Sequence, residues 1–156
     1  MKLALLFPGQ GAQAVGMGQA LAERFPVARH VFETADRALG YRLSDICWKG
    51  PAEELKKTVH TQPALLTHSV AAWKLLDAAG VKPAWVAGHS LGEYSACVAA
   101  GALEFEDAVR LVHRRGELMY RAGIDRPGTM AAILGLEREQ VDEACVRSES
   151  AGVVCA

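Results

Sequence analysis

The sequence predicts an α/β fold with a largely parallel sheet, and two kinds of pattern support this prediction. Two short apolar runs, residues 3–7 and 84–88, end in glycine-containing turns, as is typical of buried parallel strands. Long segments with helical periodicity lie between and after these runs. Strands that alternate with helices along a chain indicate an α/β architecture.

The predicted elements follow one another in a simple order. The first strand stops at Pro8-Gly9, and a glycine-rich turn comes next. The later elements are helical segments to about Leu39 with a break at Pro26, a helix at 62–79, a strand at 84–88 with a helix after it that stops near Gly101, and a helix at 105–122.

Local residue types predict where the two long helices begin and end. Thr61 is the N-cap candidate of the helix at 62–79, Pro63 lies in its first turn, and Gly80 ends it. In the same way, Gly123 is expected to close the helix at 105–122.

A stretch of strong turn signals, Asp125-Arg-Pro-Gly128, predicts a boundary between two subdomains, 1–124 and 125–156. Three elements are predicted beyond it: a strand at 129–134, a helix at 137–150 and the start of a strand at 152–156. A natural domain rarely stops inside a strand. We therefore expect either a fragment of a longer protein or a chain completed by another chain.

Composition narrows the function classes. The chain has 156 residues, 51% of them hydrophobic and 22% charged, which is ordinary for a globular domain with a real core. A net charge of −1 gives no reason to expect a nucleic-acid partner. The four cysteines form no CxxC pair and, with the five histidines, no zinc spacing, so we expect incidental or buried thiols in a reducing compartment.

The N-terminal residues fit neither a signal peptide nor a membrane span. Residues 3–7 are fewer than the ~7–15 apolar residues of a signal peptide. Residues 3–22 carry no charge, but the proline, glycines and glutamines among them exclude a membrane span. We therefore expect a cytoplasmic protein.

The motif Gly88-His-Ser-Leu-Gly92 fits G-x-S-x-G and lies between a predicted strand and a predicted helix. This is the arrangement of a nucleophile elbow, a sharp turn that exposes a serine hydroxyl above the sheet edge. Ser90 is therefore the candidate nucleophile. The next amide, that of Leu91, would point to where an oxyanion forms. The alternative is a purely structural turn flanked by glycines.

A second glycine-rich turn, Pro8-Gly-Gln-Gly11, follows the first strand. Because parallel strands end at one edge of the sheet, this turn is expected beside the elbow, where it could supply a second oxyanion-hole amide. A phosphate cradle is the alternative, but the third glycine at the right spacing and a Walker lysine are both missing.

Arg115 interrupts the apolar face of the helix at 105–122, whereas Arg114 lies on the solvated face. The predicted inward face consists of positions 108, 111, 112, 115, 119 and 122. An inward guanidinium needs an anion, because a buried unpaired charge costs several kcal/mol, on the order of 3–5. The anion is either an internal carboxylate of the protein or the carboxylate of a substrate held by both guanidinium nitrogens.

None of the five histidines is a convincing base for Ser90. His89 is its neighbour in sequence, but on an elbow the neighbouring side chain points elsewhere. The other four, at positions 30, 60, 68 and 113, carry no signature that directs them to the serine.

Taken together, these segments resemble the malonyl-CoA:acyl-carrier-protein transacylase family and the related acyltransferase domains of fatty-acid and polyketide synthases. The resemblance is collinear and covers nearly the whole chain. The matching segments are LLFPGQGAQ (5–13), GM (16–17), TQPAL (61–65), GHSLGEYSA (88–96), RRGELM (114–119) and GTMAAILGL (128–136).

The resemblance implies an α/β-hydrolase-like large subdomain with a ferredoxin-like small subdomain inserted, both incomplete in this chain. It implies ping-pong transfer of malonyl from malonyl-CoA to the phosphopantetheine thiol of acyl carrier protein, in fatty acid biosynthesis, without a metal or bound cofactor. In that reaction Ser90 is the nucleophile, the amides of Gln10 and Leu91 hold the oxyanion, and Arg115 pairs with the malonyl carboxylate. Gln62 and His89 lie near the site.

The family's general-base histidine comes after the small subdomain, and no counterpart occurs in these 156 residues. The remainder of the protein is therefore an expected partner. We expect the isolated chain to turn over inefficiently, since its serine lacks a base. We also expect uncovered sheet edges and apolar surface to make it associate with itself.

Two other functions stay open from the sequence. An α/β-hydrolase-type esterase or thioesterase would share the elbow but would need neither an inward arginine nor the PGQGAQ turn. A non-catalytic module would only bind the carrier protein or CoA. Malonyl and methylmalonyl are not distinguished. Three arginines, at positions 114, 121 and 126, are candidates for carrier docking because carrier proteins are usually acidic.

Overall fold

A computed structural model describes residues 2–128 and 133–148. Its elements are β1 (Ala4–Phe7), α1 (Gln19–Arg24), α2 (Pro26–Leu39), α3 (Leu43–Lys49), α4 (Ala52–Lys56), α5 (Thr58–Ala78), β2 (Trp85–Gly88), α6 (Gly92–Ala99), α7 (Phe105–Asp125) and α8 (Arg138–Ser148). The chain divides into two compact units, Met1–Asp125 and Arg126–Ala156. The identification of these units with the two predicted subdomains stays a prediction.

The two strands form a parallel pair, as the sequence predicts, with a register that runs from Ala4 opposite Trp85 to Phe7 opposite Gly88. One face of this pair carries Phe7, which is buried against Trp73 of α5 and Ala96 of α6. The opposite face is open: Leu6 is 79% exposed and Trp85 57%. The strands are therefore buried on one face only in the described residues, whereas their continuous apolar runs predict burial on both.

The main core of the first unit is helical and surrounds α5. This helix is buried over most of its length because α2 and α7 pack against it and its C-terminal half reaches the sheet. A helix that is apolar around most of its circumference is suited to such a central position. The largest fully buried side chains of this core are Phe32, Leu43, Leu55, Leu65, Leu66, Leu91, Val70, Val109 and Val112.

The predicted break at Pro26 is confirmed, because this proline is the first residue of α2, where its missing N–H costs nothing. Gly80 follows the end of α5 with φ +82°, as expected for a helix-terminating glycine. The N-cap prediction for Thr61 is wrong. α5 begins at Thr58, and the Thr61 hydroxyl donates a hydrogen bond to the Leu55 carbonyl inside the fold.

The predicted end of α7 is also wrong. The helix runs through Gly123 to Asp125, and Gly123 keeps an ordinary helical conformation. A glycine inside a helix costs only about 1 kcal/mol relative to alanine, which the rest of a 21-residue helix offsets. A glycine therefore marks a helix end only when it takes up a left-handed φ.

In the second unit the structure gives α8, which falls inside the helix predicted at 137–150. The strands predicted at 129–134 and 152–156 lie, apart from residues 133 and 134, outside the described residues.

The three cysteines that the structure describes, Cys47, Cys97 and Cys145, are free thiols, in keeping with the prediction of buried or incidental thiols. Cys47 is fully buried, and burial raises the pKa of its thiol to about 12, while Cys97 is exposed. Among the helices that the structure describes, none is both long enough and apolar enough to cross a lipid bilayer.

Candidate active site

The turn between β2 and α6 holds Ser90 in an unusual backbone conformation. Its φ is +53°, and it is the one non-glycine residue with a positive φ within the described ranges. Such a conformation costs about 1–3 kcal/mol and persists only where the surroundings enforce it. Here the Gly92 N–H donates to the His89 carbonyl (2.8 Å) and closes the turn. The serine hydroxyl is thereby presented on the exposed side of the strand end.

The two glycines of G-x-S-x-G are required by contact between backbones. A Cβ atom on Gly88 would lie 2.0 Å from the carbonyl carbon of Gly92, and one on Gly92 would lie 2.2 Å from the Phe7 carbonyl oxygen. Neither neighbour is a flexible side chain, so neither can yield. The spacing of the motif is therefore set by the first turn of α6 crossing the ends of both strands.

The glycine-rich turn after β1 lies directly against the elbow. The His89 N–H donates to the Phe7 carbonyl (3.1 Å), and a Cβ on Gly9 would meet the His89 carbonyl at 2.8 Å. The Gln10 side chain ties this turn to α5, because its Nε2 donates to Thr58 Oγ1 (3.3 Å). The two turns thus share the carboxyl edge of the sheet, where the sequence places them.

The backbone amides of Gln10 and Leu91 belong to these two turns. Within the part of the chain that the structure describes, neither amide donates a hydrogen bond. Free N–H groups on turns that adjoin an exposed serine are of the kind that can stabilise an oxyanion.

Arg115 reaches from α7 to the serine. Its guanidinium donates from Nη2 to Ser90 Oγ (3.1 Å) and from Nη1 to Gln62 Oε1 (2.8 Å). The side chain forms no salt bridge with any carboxylate in residues 2–128 and 133–148. The alternative of an internal structural ion pair is therefore not found in the described structure, and the cation is held by two neutral partners, Gln62 and the candidate nucleophile Ser90.

The face of α7 on which Arg115 lies differs from the predicted one. Leu111 and Ala122 are exposed, while Val109 and Gly116 are buried together with Ala108 and Val112. The buried face is thus rotated toward positions 109 and 116, and Arg115 lies half-buried at its edge. Arg114 is on the solvated side as predicted, paired with Glu117 (2.8 Å).

Gln62 is fully buried in α5, and both ends of its amide have partners. Its oxygen accepts from Arg115, and its Nε2 donates to the sulfur of Met119 (3.2 Å). Because sulfur can accept but not donate here, this contact orients the amide with its oxygen toward the guanidinium. Sequence reasoning did not single out Met119, although it lies four residues after Arg115 and hence on the same side of α7.

No histidine of the sequence hydrogen-bonds to Ser90. The ring of His89 packs over Gly9, as expected for a side chain that points away from the elbow. His113 and His60 bond to backbone carbonyls elsewhere, His30 is exposed, and burial holds the pKa of His68 below its usual value. Within the described residues, no three side chains of histidine, cysteine, aspartate or glutamate are grouped as a metal site would require.

Comparison with known proteins gives a consistent result. Residues 4–155 match the family described as "Acyl transferase domain". The malonyl CoA-acyl carrier protein transacylase of Salmonella typhimurium is 50% identical over 154 residues, which is 98% of this chain and 50% of that protein.

Two solved structures are similar to this fold. The acyl-carrier-protein-S-malonyltransferase of Bartonella henselae has a TM-score of 0.89 and 41% identity, over 98% of this chain and 50% of that one. A malonyl-transacylase in complex with its type II PKS acyl-carrier protein has a TM-score of 0.86 and 44% identity, over 97% and 49%. The chain therefore spans about half the length of the relatives it matches.

Proposed function

The chain belongs to the acyl transferase domain family, and from this membership we propose that it carries the nucleophile and carboxylate clamp of a malonyl-CoA:acyl-carrier-protein transacylase. One observation carries the proposal. The guanidinium of Arg115 lies on the hydroxyl of Ser90, without a carboxylate partner in the described residues. The carboxylate of a malonyl group is one methylene from the carbonyl that the serine attacks. It can therefore reach Arg115 while the carbonyl is at Ser90.

The reaction follows from this placement. Ser90 Oγ attacks the thioester carbonyl of malonyl-CoA, and the free amides of Gln10 and Leu91 stabilise the oxyanion that forms. The C–S bond breaks, CoA leaves as the thiol, and the malonyl group stays on the serine as an ester. The phosphopantetheine thiol of acyl carrier protein then attacks this ester and frees the serine.

The proton of the serine hydroxyl has to pass to a base in the first step and return in the second. Because no histidine of this sequence bonds to Ser90, we propose that a histidine outside these 156 residues supplies the base, as the family resemblance implies. Arg115 does not replace it, since a guanidinium stays protonated in proteins.

The proposal extends to fold and location. The elbow between β2 and α6 supports an α/β-hydrolase-like large subdomain, and the separate compact unit from Arg126 supports an inserted ferredoxin-like one. We also propose a cytoplasmic location, in keeping with the reducing compartment expected from the cysteine pattern. Malonyl-CoA, acyl carrier protein and the rest of the protein are its proposed partners, in fatty-acid or polyketide synthesis.

Intact mass after incubation with malonyl-CoA tests the proposal, on the protein as its gene encodes it and on the 156-residue chain. We expect a malonyl adduct on the former, none after Ser90→Ala, and little on the chain alone. Acetyl-CoA is the matched control for Arg115→Ala, which should lower malonyl acylation about 100-fold and spare acetyl acylation, since a bidentate charged contact contributes about 3 kcal/mol.

Three results would contradict it. A malonyl adduct that still forms in Ser90→Ala would show that Ser90 is not the nucleophile. Equal losses of malonyl and acetyl acylation in Arg115→Ala would show that Arg115 does not bind the malonyl carboxylate. Hydrolysis of uncharged esters without transfer to a carrier would favour the esterase or thioesterase alternative.

A further inference from the structure

A proline inside helix α5 leaves one backbone carbonyl without its helical partner. Pro63 is the sixth residue of α5 and has no N–H, so the carbonyl of Val59, four residues earlier, accepts no intrahelical bond from position 63. Val59 is half-buried. A carbonyl withdrawn from water without a partner is unfavourable, and native structures supply a partner for more than nine of ten buried carbonyls.

The missing partner comes from α7. The ring of His113 places Nδ1 3.3 Å from the Val59 oxygen, across 54 residues of sequence. A carbonyl only accepts, so Nδ1 carries the proton, and Nε2 faces Glu117 at 3.7 Å. The ring is further held against Tyr41, with 5.8 Å between ring centroids. The orientation of His113 is thus fixed by contacts to α5, to its own helix α7 and to Tyr41 in the connection between α2 and α3.

A second contact brings the two helices together one turn along α7. A Cβ on Gly116 would lie 2.9 Å from both the Thr58 oxygen and the Val59 Cα, so α7 rests directly on the first turn of α5. Arg115 lies between these two contacts in sequence, and its partner Gln62 immediately precedes Pro63. The register of α7 on α5 at Val59 therefore determines where the guanidinium meets Gln62 and Ser90.

We propose that Pro63 and His113 form a positioning pair: the proline opens the Val59 carbonyl, the histidine binds it, and this bond sets Arg115 in place for the substrate carboxylate. The effect on malonyl transfer rests on the proposed function. The coupling between the two residues does not, because it concerns only the packing of α7 on α5.

A double-mutant cycle on the protein as its gene encodes it tests the pairing. His113→Ala leaves the Val59 carbonyl unpaired and should lower Tm by about 2–4 °C. Pro63→Ala restores an N–H at position 63 that can bond to Val59 within the helix. In the Pro63→Ala background, we therefore expect His113→Ala to change Tm by less than half as much.

Two variants at one position separate the hydrogen bond from the packing. His113→Asn keeps a donor near the place of Nδ1, whereas His113→Phe keeps the ring against Tyr41 and loses the donor. Relative to the unsubstituted protein, we expect His113→Phe to lower kcat/KM for malonyl-CoA about tenfold, since small misplacements of a binding group have effects of this order or larger. His113→Asn should recover most of this loss.

Acylation by acetyl-CoA separates the two possible causes. A general loss of structure would lower the rate of acetyl acylation, whereas a misplaced Arg115 would not. An acetyl group has no free carboxylate for Arg115 to bind, so the malonyl-to-acetyl ratio should fall in His113→Phe and recover in His113→Asn. If His113→Ala lowers Tm equally in the unsubstituted protein and in the Pro63→Ala variant, the proposed pairing is wrong. An unchanged malonyl-to-acetyl ratio in His113→Phe would overturn its role in placing Arg115.

The two proposals fail in distinguishable ways. If the unsubstituted protein forms no malonyl adduct, the proposed function is wrong, and the Tm cycle still decides the pairing. If Pro63→Ala does not fold, the comparison of His113→Asn with His113→Phe alone tests whether the hydrogen bond of His113 positions Arg115.

Discussion

Ser90 and Arg115 are held in place by opposite means. The serine is fixed by its backbone, since a positive φ at a non-glycine residue persists only while Gly88 and Gly92 let the chain pass so closely. The arginine has a long flexible side chain, and two neutral acceptors fix its head group. Substitutions that preserve the fold are therefore expected to disturb the arginine more readily than the serine.

Gln62 offers a direct test of the neutral support for Arg115. In Gln62→Glu a carboxylate takes the place of an amide oxygen 2.8 Å from the guanidinium, and the resulting ion pair would compete with the carboxylate of the proposed malonyl substrate. We expect KM for malonyl-CoA to rise at least about tenfold, with a smaller effect on acetyl acylation. A malonyl KM unchanged from the unsubstituted protein, measured under steady-state conditions, would show that Arg115 does not bind that carboxylate.

His68 should make stability depend on pH. Burial holds its folded-state pKa below the usual value of 6.5, so below pH 6.5 the unfolded chain binds more protons than the folded one. The free energy of unfolding should therefore fall as pH drops from about 6.5 toward the lowered folded-state pKa. Urea unfolding at pH 7.5 and pH 5.5 should show a smaller difference in His68→Leu, while the exposed His30→Leu should retain it. An equal pH dependence in both variants would contradict this assignment.

At the scale of elements, the packing of α7 on α5 gives different surroundings to two glycines of α7 that the sequence pattern does not distinguish. Gly116 is buried where α7 meets the backbone of Thr58 and Val59, whereas a Cβ on Gly123 would meet no atom within 4 Å. Both lie inside the same helix. Only the tertiary contact distinguishes them.

The two corresponding alanine variants should change stability in opposite directions. Gly123→Ala should raise the free energy of unfolding by about 0.5–1 kcal/mol, since alanine is the better helix former. Gly116→Ala should lower it by about 1–3 kcal/mol, because the methyl group would lie 2.9 Å from backbone atoms that cannot yield. Urea denaturation of both variants measures the difference. A stabilised Gly116→Ala would show that α7 does not rest on α5 in this way.

These helices also show how far the sequence predicts the structure. The two strands and the Pro26 break were predictable because apolar runs and proline geometry act locally. The short helices α3 and α4 were not predicted, since seven and five residues carry too few turns for a period to be recognised. Thr61 resembled an N-cap by residue type, but the backbone of Lys57, four residues earlier, begins the helix instead.

The residues of the candidate site could be named from the sequence, whereas their contacts could not. G-x-S-x-G between a strand and a helix indicated Ser90, because the glycines are required by backbone contacts that any such elbow makes. Nothing local indicated that Met119 orients Gln62, or that His113 binds a carbonyl 54 residues away. Those contacts depend on how α7 lies on α5, which a pattern within one helix does not encode.

At the scale of the whole molecule, the sheet of the described chain is covered on one side only. Alternation along β1 and β2 sends Phe7 and Val86 toward α5 and α6, and sends Leu6 and Trp85 outward. Soluble monomers rarely expose contiguous apolar patches of more than a few hundred Å², about 300–600. The open face of these two strands carries apolar side chains, and their edges are unpaired. Another chain can pack on such a face or extend such a sheet.

The 156-residue chain expressed alone should therefore associate with itself. We expect sedimentation velocity to show dimers or larger species at about 50 μM, with much less association in Leu6→Lys combined with Trp85→Lys, because charge on this face opposes burial. Val27→Lys is the matched control, since Val27 is 43% exposed on α2 and away from the sheet. A monomer at this concentration, or equal association in the control and the sheet variant, would show that the open face does not drive contact between chains.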